Sequence, residues 1–274
     1  AASSVALDLE TYGPRKGDGL DPWTGDIRLL SLCVQGQAPW LLDLRAIGYD
    51  LGELKPALES CEIIAHNSRF DLGWLRNKLD LRANRVFCTL TAARLLSAGT
   101  KPGNDLDKCL ERYLNVPPAP DHSRSDWGSM VLTEDQLAYA ARDVAHLHNL
   151  AGVLHHELEM EGLDEVGQLE MQLVPVIVEM EHAGIAVDQS KLREIESKAR
   201  ASAAEHAGML RQKLNLPKLN PGSPHQLMEA LHAVGIELEN TNEDTLKAND
   251  DGEVIPLILT FRGAEKLAQQ AASL

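Results

Sequence analysis

The chain has 274 residues, 44% of them hydrophobic, with no long biased tract, which is the make-up of a globular protein of one large domain or two modest ones. Its net charge of −15 argues against a surface that holds nucleic acid by charge alone, and aromatic residues at 4% are too few for an extended base-stacking platform. The charge is uneven: residues 1–155 carry 16 basic and 20 acidic side chains, and the rest carries 10 and 21.

In chain order, the apolar run Val5-Ala6-Leu7-Asp8-Leu9-Glu10-Thr11 reads as a strand. Residues two apart on a strand share a face, so Asp8 and Glu10 project together while Leu7 and Leu9 pack behind them. Tyr12 to Asp26, rich in Gly, Pro and Asp, reads as a loop. Ile27 to Val34 and Pro39 to Leu44 read as two further strands of an antiparallel meander. Leu51 to Ser60 reads as a helix, Glu62 to His66 as a buried strand, and Asn67 or Ser68 as the cap of a helix to about Leu79. A strand at Arg85 to Cys88 leads into helices at Thr89 to Ser97 and Asp105 to Leu114. Asn115 to Leu132 is irregular, with three prolines. Thr133 and Gln136 form a capping-box pattern that opens one long helix to about His156. Three antiparallel strands followed by alternating helices and strands predict a mixed α/β sheet.

Beyond it, Leu169 to Ala183 reads as a helix stopped by Gly184. A long helix spans Gln189 to Leu214, a proline-punctuated break follows to Pro224, and shorter helices follow. With no matching strands, this part reads as a helical module. Cys33, Cys61, Cys88 and Cys109 are widely spaced in apolar settings, the pattern of reduced, buried thiols in a cytosolic protein. No signal peptide or run of transmembrane length appears, so no membrane partner is expected. The opening directly on a core strand reads as a piece of a longer protein.

Two adjacent half-buried carboxylates repel unless a cation neutralises them, and oxygen-only ligands suit a hard divalent ion. Two further sites add acids. Asp71 falls in the first turns of its helix, where the positive helix terminus favours an ionised carboxylate. Tyr139 and Asp143, four apart, share a helix face. Each piece alone has an ordinary reading, as a solvated edge, a capping acid or a packed tyrosine. Together, Asp8, Glu10, Asp71 and Asp143 can surround one cleft with enough carboxylates for two cations and a phosphate.

In this order and context, residues 1–156 resemble the tyrosine subgroup of the DEDD superfamily of 3′–5′ exonucleases. Asp8 and Glu10 match the first motif, Asp71 the second, and Tyr139 with Asp143 the third. The histidine subgroup would place its base five residues before the last aspartate, where Ala138 stands. The resemblance implies a ribonuclease H-like fold, a mixed five-stranded sheet flanked by helices. It implies two Mg²⁺ or Mn²⁺ ions held by Asp8, Glu10, Asp71 and Asp143, with substrate contacts from Thr11 and Asn67. The expected reaction is hydrolysis at a single-stranded or frayed DNA 3′ end, releasing nucleoside 5′-monophosphates. A phenol of ordinary pKa about 10 suits Tyr139 to orient the attacking water rather than deprotonate it.

Residues 157–274 resemble the start of the family A DNA polymerase thumb, in Val174 to Asp188, Asn220 to Leu227, and Leu259-Thr260-Phe261-Arg262 to Lys266-Leu267. Palm and fingers are absent, so this chain is not expected to polymerise; the native protein is expected to carry a C-terminal polymerase domain, in a bacterial or phage cytoplasm. Ser125-Asp126-Trp127 and Leu132-Thr133 are nearer the ribonuclease D branch, which makes RNA trimming the alternative. A catalytically silent structural module is the other, and retention of the repelling acids argues against it. His146, His148, His155 and His156 lack the i, i+4 spacing of a helical zinc site and read as surface or helix-end residues. Arg69, Arg76 and Lys78 read as solvated, with phosphate contact as the alternative, and Trp127 as an anchor for the irregular segment, with a brace for the substrate as the alternative. The charges of the long helix read as intrahelical pairs.

Overall fold

The computed structural model describes residues 3–15, 17–100 and 102–273. The chain divides into two compact units, Ala1–Gly184 and Ile185–Leu274.

The first unit is built on a five-stranded sheet of order β3-β2-β1-β4-β5. Its strands are β1 (Ser4–Tyr12), β2 (Asp26–Cys33), β3 (Trp40–Asp43), β4 (Glu62–Ala65) and β5 (Arg85–Cys88). The first three form the expected antiparallel meander, and β4 and β5 run parallel to β1. Its helices are α1 (Leu54–Ser60), α2 (Ser68–Leu79), α3 (Thr89–Leu96), α4 (Leu106–Leu114), α5 (Glu134–Ala145), α6 (Leu147–Met160) and α7 (Asp164–Ala183).

The sheet explains why the acids end up in a cleft. β1 is central, and Val5, Ala6, Leu7 and Leu9 are buried along it. Its pairing with β4 ends at Ala6↔Ile64, while its pairing with β2 continues to Tyr12↔Asp26. The half of β1 that carries Asp8 and Glu10 therefore overhangs the carboxyl end of β4. There the connections diverge and open the crevice that α/β sheets use for ligands. Just past Glu10 the register slips. Glu10 faces Leu29 but Thr11 faces Ile27, so Arg28 is an extra residue in β2, a β-bulge.

Two expectations are corrected. The helix from Thr133 to about His156 is two helices, α5 and α6, jointed at His146 (φ −104°, ψ −7°). The buried positions Ala140, Val144, Leu147, Leu150 and Leu154 keep helical spacing across the joint, so the apolar pattern carries no mark of it. The joint lets α5 lie on β1 and β2 while α6 packs against α3 and α4. The second correction concerns Asn67, which does not cap α2 through its side chain but sits in the left-handed region at φ 72° and ψ 42°. The Thr133–Gln136 capping box is present as expected.

The first unit also extends beyond the expected limit at residue 156. Helix α7 packs on α2, β5 and α3, burying Met171, Val174 and Val178 in the sheet's own core. Amphipathicity announces a buried face but not its partner.

The second unit holds α8 (Gln189–Lys213), α9 (Pro224–Ala233), α10 (Glu243–Ala248) and α11 (Val254–Ala272). Small residues on α8, Ala203 and Ala207, share a core with Ile255, Ile258 and Phe261 of α11. The outer face of α8 carries the intrahelical pairs expected, Lys191 and Lys198 with Glu194 and Arg200 with Glu196. All four cysteines are buried and free. Among the described residues no helix is long and apolar enough to cross a membrane.

Candidate active site

Asp8, Glu10 and Asp143 each offer a carboxylate oxygen within 4.8 Å of the others. β1 presents the first two on one face, and α5 lies across that face to deliver the third. Asp71, in the first turn of α2, stands outside this triplet but beside Asp8 and is 2% exposed. The four acids expected from sequence thus converge.

Their electrostatics state what the arrangement lacks. Burial, then the neighbouring Asp143 charge, holds Asp8 well above the usual carboxylate range. Burial followed by the charges of Asp8, Asp143 and Asp71 pushes Glu10 up to about 10. Burial, then Asp8, raises Asp71. Burial raises Asp143 to about 6, against the opposing pull of the Tyr139 phenol and Arg142. Oε1 of Glu10 is buried without a hydrogen-bond partner. A repelling, oxygen-only donor set with an orphaned buried oxygen fits hard divalent cations, whose charge removes the repulsion that otherwise draws in protons.

Tyr139 lies one helical turn before Asp143. Burial, then the Asp143 and Glu10 charges, raises its phenol well above the usual tyrosine value. It is therefore a fixed proton donor to an oxygen and is ill suited to act as a base. The irregular segment surrounds it: His122 meets the ring edge-on with centroids 6.0 Å apart, and Trp127 lies tilted at 6.4 Å. Trp127 is 2% exposed and shares a small cluster with Leu29 and Ala140, the anchoring role read from sequence.

The two expected substrate residues lie next to acids in the chain, Thr11 directly after Glu10 and Asn67 four before Asp71. Thr11 follows Glu10 at the bulge, its hydroxyl donating to the Gly19 carbonyl at 2.5 Å. Asn67 is exposed at the start of α2. Of the basic residues on α2, Arg69 pairs with Glu181 and Lys78 with Asp26. Arg76 is not solvated as expected. It is buried, bonded to Glu179 and Asp80. Of the late-helix histidines, His148 is half-buried, its Nε2 3.0 Å from the Cys33 carbonyl oxygen.

Sequence reasoning passed over Arg28. It is 3% exposed and gives Asp43 two hydrogen bonds, 3.2 Å from Nε and 3.1 Å from Nη2. It also donates to the carbonyls of Trp127 (3.3 Å), Ser129 and Met130 (3.4 Å). A charged residue inside Ile27-Arg28-Leu29-Leu30 was the available signal. His122 had none, because nothing local ties it to a residue 17 positions further on.

A family model described as 3′–5′ exonuclease matches residues 1–159. DNA polymerase I of Aquifex aeolicus is 26% identical over 294 residues, covering 98% of this chain and 48% of the polymerase. Ribonuclease D of Haemophilus influenzae is 30% identical over 179 residues, 63% of this chain and 41% of that protein. The chain thus spans about half or less of the length of these curated relatives. Among solved structures, Brucella melitensis NrnC bound to pGG is 28% identical with a TM-score of 0.60, over 67% of this chain and 86% of that one. The sheet and its flanking helices match the ribonuclease H-like exonuclease fold.

Proposed function

Because the chain belongs to the 3′–5′ exonuclease family, we propose that it hydrolyses the terminal phosphodiester bond at the 3′ end of single-stranded or frayed DNA, releasing nucleoside 5′-monophosphates. The observation that carries this reading is the meeting of Asp8, Glu10 and Asp143 within 4.8 Å, with Asp71 and Tyr139 beside them.

Asp8, Glu10, Asp71 and Asp143 would hold two divalent cations, Mg²⁺ or Mn²⁺. Asp8 would be shared, Glu10 and Asp143 would complete one site, and Asp71 would serve the other. Bound there, the cations supply Lewis acidity and make a water nucleophilic at neutral pH. The chain's own contribution is placement. Tyr139 keeps its proton and holds the attacking water or a phosphate oxygen by donating to it. Asn67 and Thr11 would contact the terminal nucleotide. The acidic surface is compatible with this, since the cations meet the scissile phosphate. In the whole protein the unit would proofread for a family A polymerase. The alignment with the Aquifex polymerase over 98% of the chain supports that setting.

RNA trimming is the second reading. It is favoured by the 30% identity to ribonuclease D and by the resemblance of Ser125-Asp126-Trp127 and Leu132-Thr133 to that branch. Labelled single-stranded DNA and RNA of matched sequence, each incubated with Mn²⁺ or with EDTA, separate the readings. Mn²⁺-dependent stepwise shortening of DNA from its 3′ end is expected. Faster loss of RNA would promote the second reading, and no shortening of either would overturn both.

A further inference from the structure

The bulge after Glu10 has a second effect beyond ending the regular ladder. Consecutive residues of a regular strand point to opposite faces. Here Arg28 and Leu29 both reach the same segment, Leu29 through the cluster it shares with Trp127 and Arg28 through the Trp127 carbonyl. Arg28 thus spans from Asp43 on β3 to three carbonyls of the loop that feeds α5. The loop is tied to α5 in turn, since Gln136 Nε2 donates to the Asp126 carbonyl at 3.3 Å and Trp127 packs against Ala140. Arg45 adds a bond to the Gly128 carbonyl at 3.1 Å. Backbone carbonyls in an irregular loop are otherwise satisfied by water, and water does not fix a position. A planar guanidinium with five donors does, and a lysine ammonium cannot make this set of bonds at once.

We propose that Arg28 is a positioning residue for the third acid and the tyrosine: it braces the 126–130 loop against β3 and so sets how α5 presents Tyr139 and Asp143 to the acids of β1. It touches no reacting atom. The strand that carries the brace departs from regular pairing directly beside Glu10, so the placement of α5 is referred to the strand pair that holds Asp8 and Glu10. The rate consequence rests on the exonuclease reading, but the bracing does not.

The test compares the full chain with Arg28→Lys and Asp43→Asn, each alone and combined with Tyr139→Phe. The first readout is amide hydrogen exchange, which needs no activity. Faster exchange is expected across residues 126–137, with β1 unchanged. The second readout is steady-state cleavage of single-stranded DNA with Mn²⁺. Here kcat is expected to fall about tenfold or more with KM unchanged, as for a small displacement of reacting groups. In the Tyr139→Phe background the same substitution should cost less than it does in the wild type, because one of the two groups it places is already gone. Unchanged exchange overturns the proposal, as does a loss confined to KM or one equally large without the phenol. If Arg28→Lys does not fold, Asp43→Asn carries the same test, since Asp43 is partly exposed and its loss leaves the loop bonds in place. A wild-type chain that cleaves no nucleic acid overturns the exonuclease reading, and the exchange readout then decides the brace alone.

Discussion

Arg76 on α2 and Glu179 on α7 form a two-pronged ion pair, Nε to Oε1 at 2.6 Å and Nη2 to Oε2 at 3.2 Å, with the arginine side chain 9% exposed. The pair joins the helix that carries Asp71 to a helix beyond the end of the family match at residue 159. Glu179→Ala should therefore cost about 1–3 kcal/mol, because a buried guanidinium loses its main partner. Urea unfolding with an unchanged m-value would measure it.

The same packing fixes how much chain the nuclease unit needs. A chain ending at Gly184 is expected to unfold in one cooperative transition, and one ending at residue 159 is not. The shorter chain lacks Met171, Val174 and Val178, which lie in the sheet's core. Near-ultraviolet circular dichroism of the two would show it, and a cooperative melt of the shorter chain would contradict it.

Tyr139→Phe should lower kcat about a hundredfold, with KM within about twofold, since a positioned donor acts in the transition state more than in binding. In the metal-free chain, Asp143 gives up its proton only near pH 6. Binding of Mn²⁺ should weaken as pH falls through that value, and isothermal titration with the metal would detect it. Tyr139→Phe should move this titration to higher pH, because the phenol's hydrogen bond is one of the influences that hold the Asp143 carboxyl down.

Glu10→Gln should abolish cleavage and yet stabilise the metal-free protein. The sign follows from proton linkage. Glu10 and Asp143 have folded-state pKa values raised to about 10 and about 6, so over that range the native state binds more protons than the unfolded one. Above the range in which His66 titrates, metal-free stability should therefore fall as pH rises from about 7 toward 9, and Mg²⁺ or Mn²⁺ should restore it. The substitution should flatten that fall and raise the melting temperature at pH 8 by about 2 °C or more. Calorimetry in EDTA that showed stability rising over this range would refute the assignment of the acids as a repelling cluster.

His66 sets the acid side of the same curve. Its ring bridges the Thr89 hydroxyl and the Asn104 carbonyl, each at 2.9 Å, and burial pushes its pKa down to about 4. The unfolded chain takes up this proton near pH 6.5, so stability should be lost as pH falls from there to about 4. His66→Gln should flatten that limb in a pH series of thermal melts.

Most of the architecture was legible because it rests on local pattern. The alternation in Val5 to Thr11, the antiparallel meander and the Thr133–Gln136 cap are written in consecutive residues. What was not legible depends on partners distant in the chain. The joint at His146 leaves the apolar spacing untouched, so α5 and α6 read as one helix. The face of α7 is equally apolar whether it meets a sheet or a helix. Arg28 is charged, and burial of a charge becomes visible only once Asp43 and the loop carbonyls are in place. Each acid of the cleft had an ordinary reading on its own, and it was their order and context along the chain that found them.

Asp8 and Asp143 stand 135 positions apart in the chain. A ribosome releasing this chain exposes the first carboxylate pair before the last acid, which follows only after the whole sheet has emerged. A nascent, nicked or locally melted chain thus holds isolated acids and no assembled cleft. Whatever these groups do together, they do it only after tertiary structure is complete.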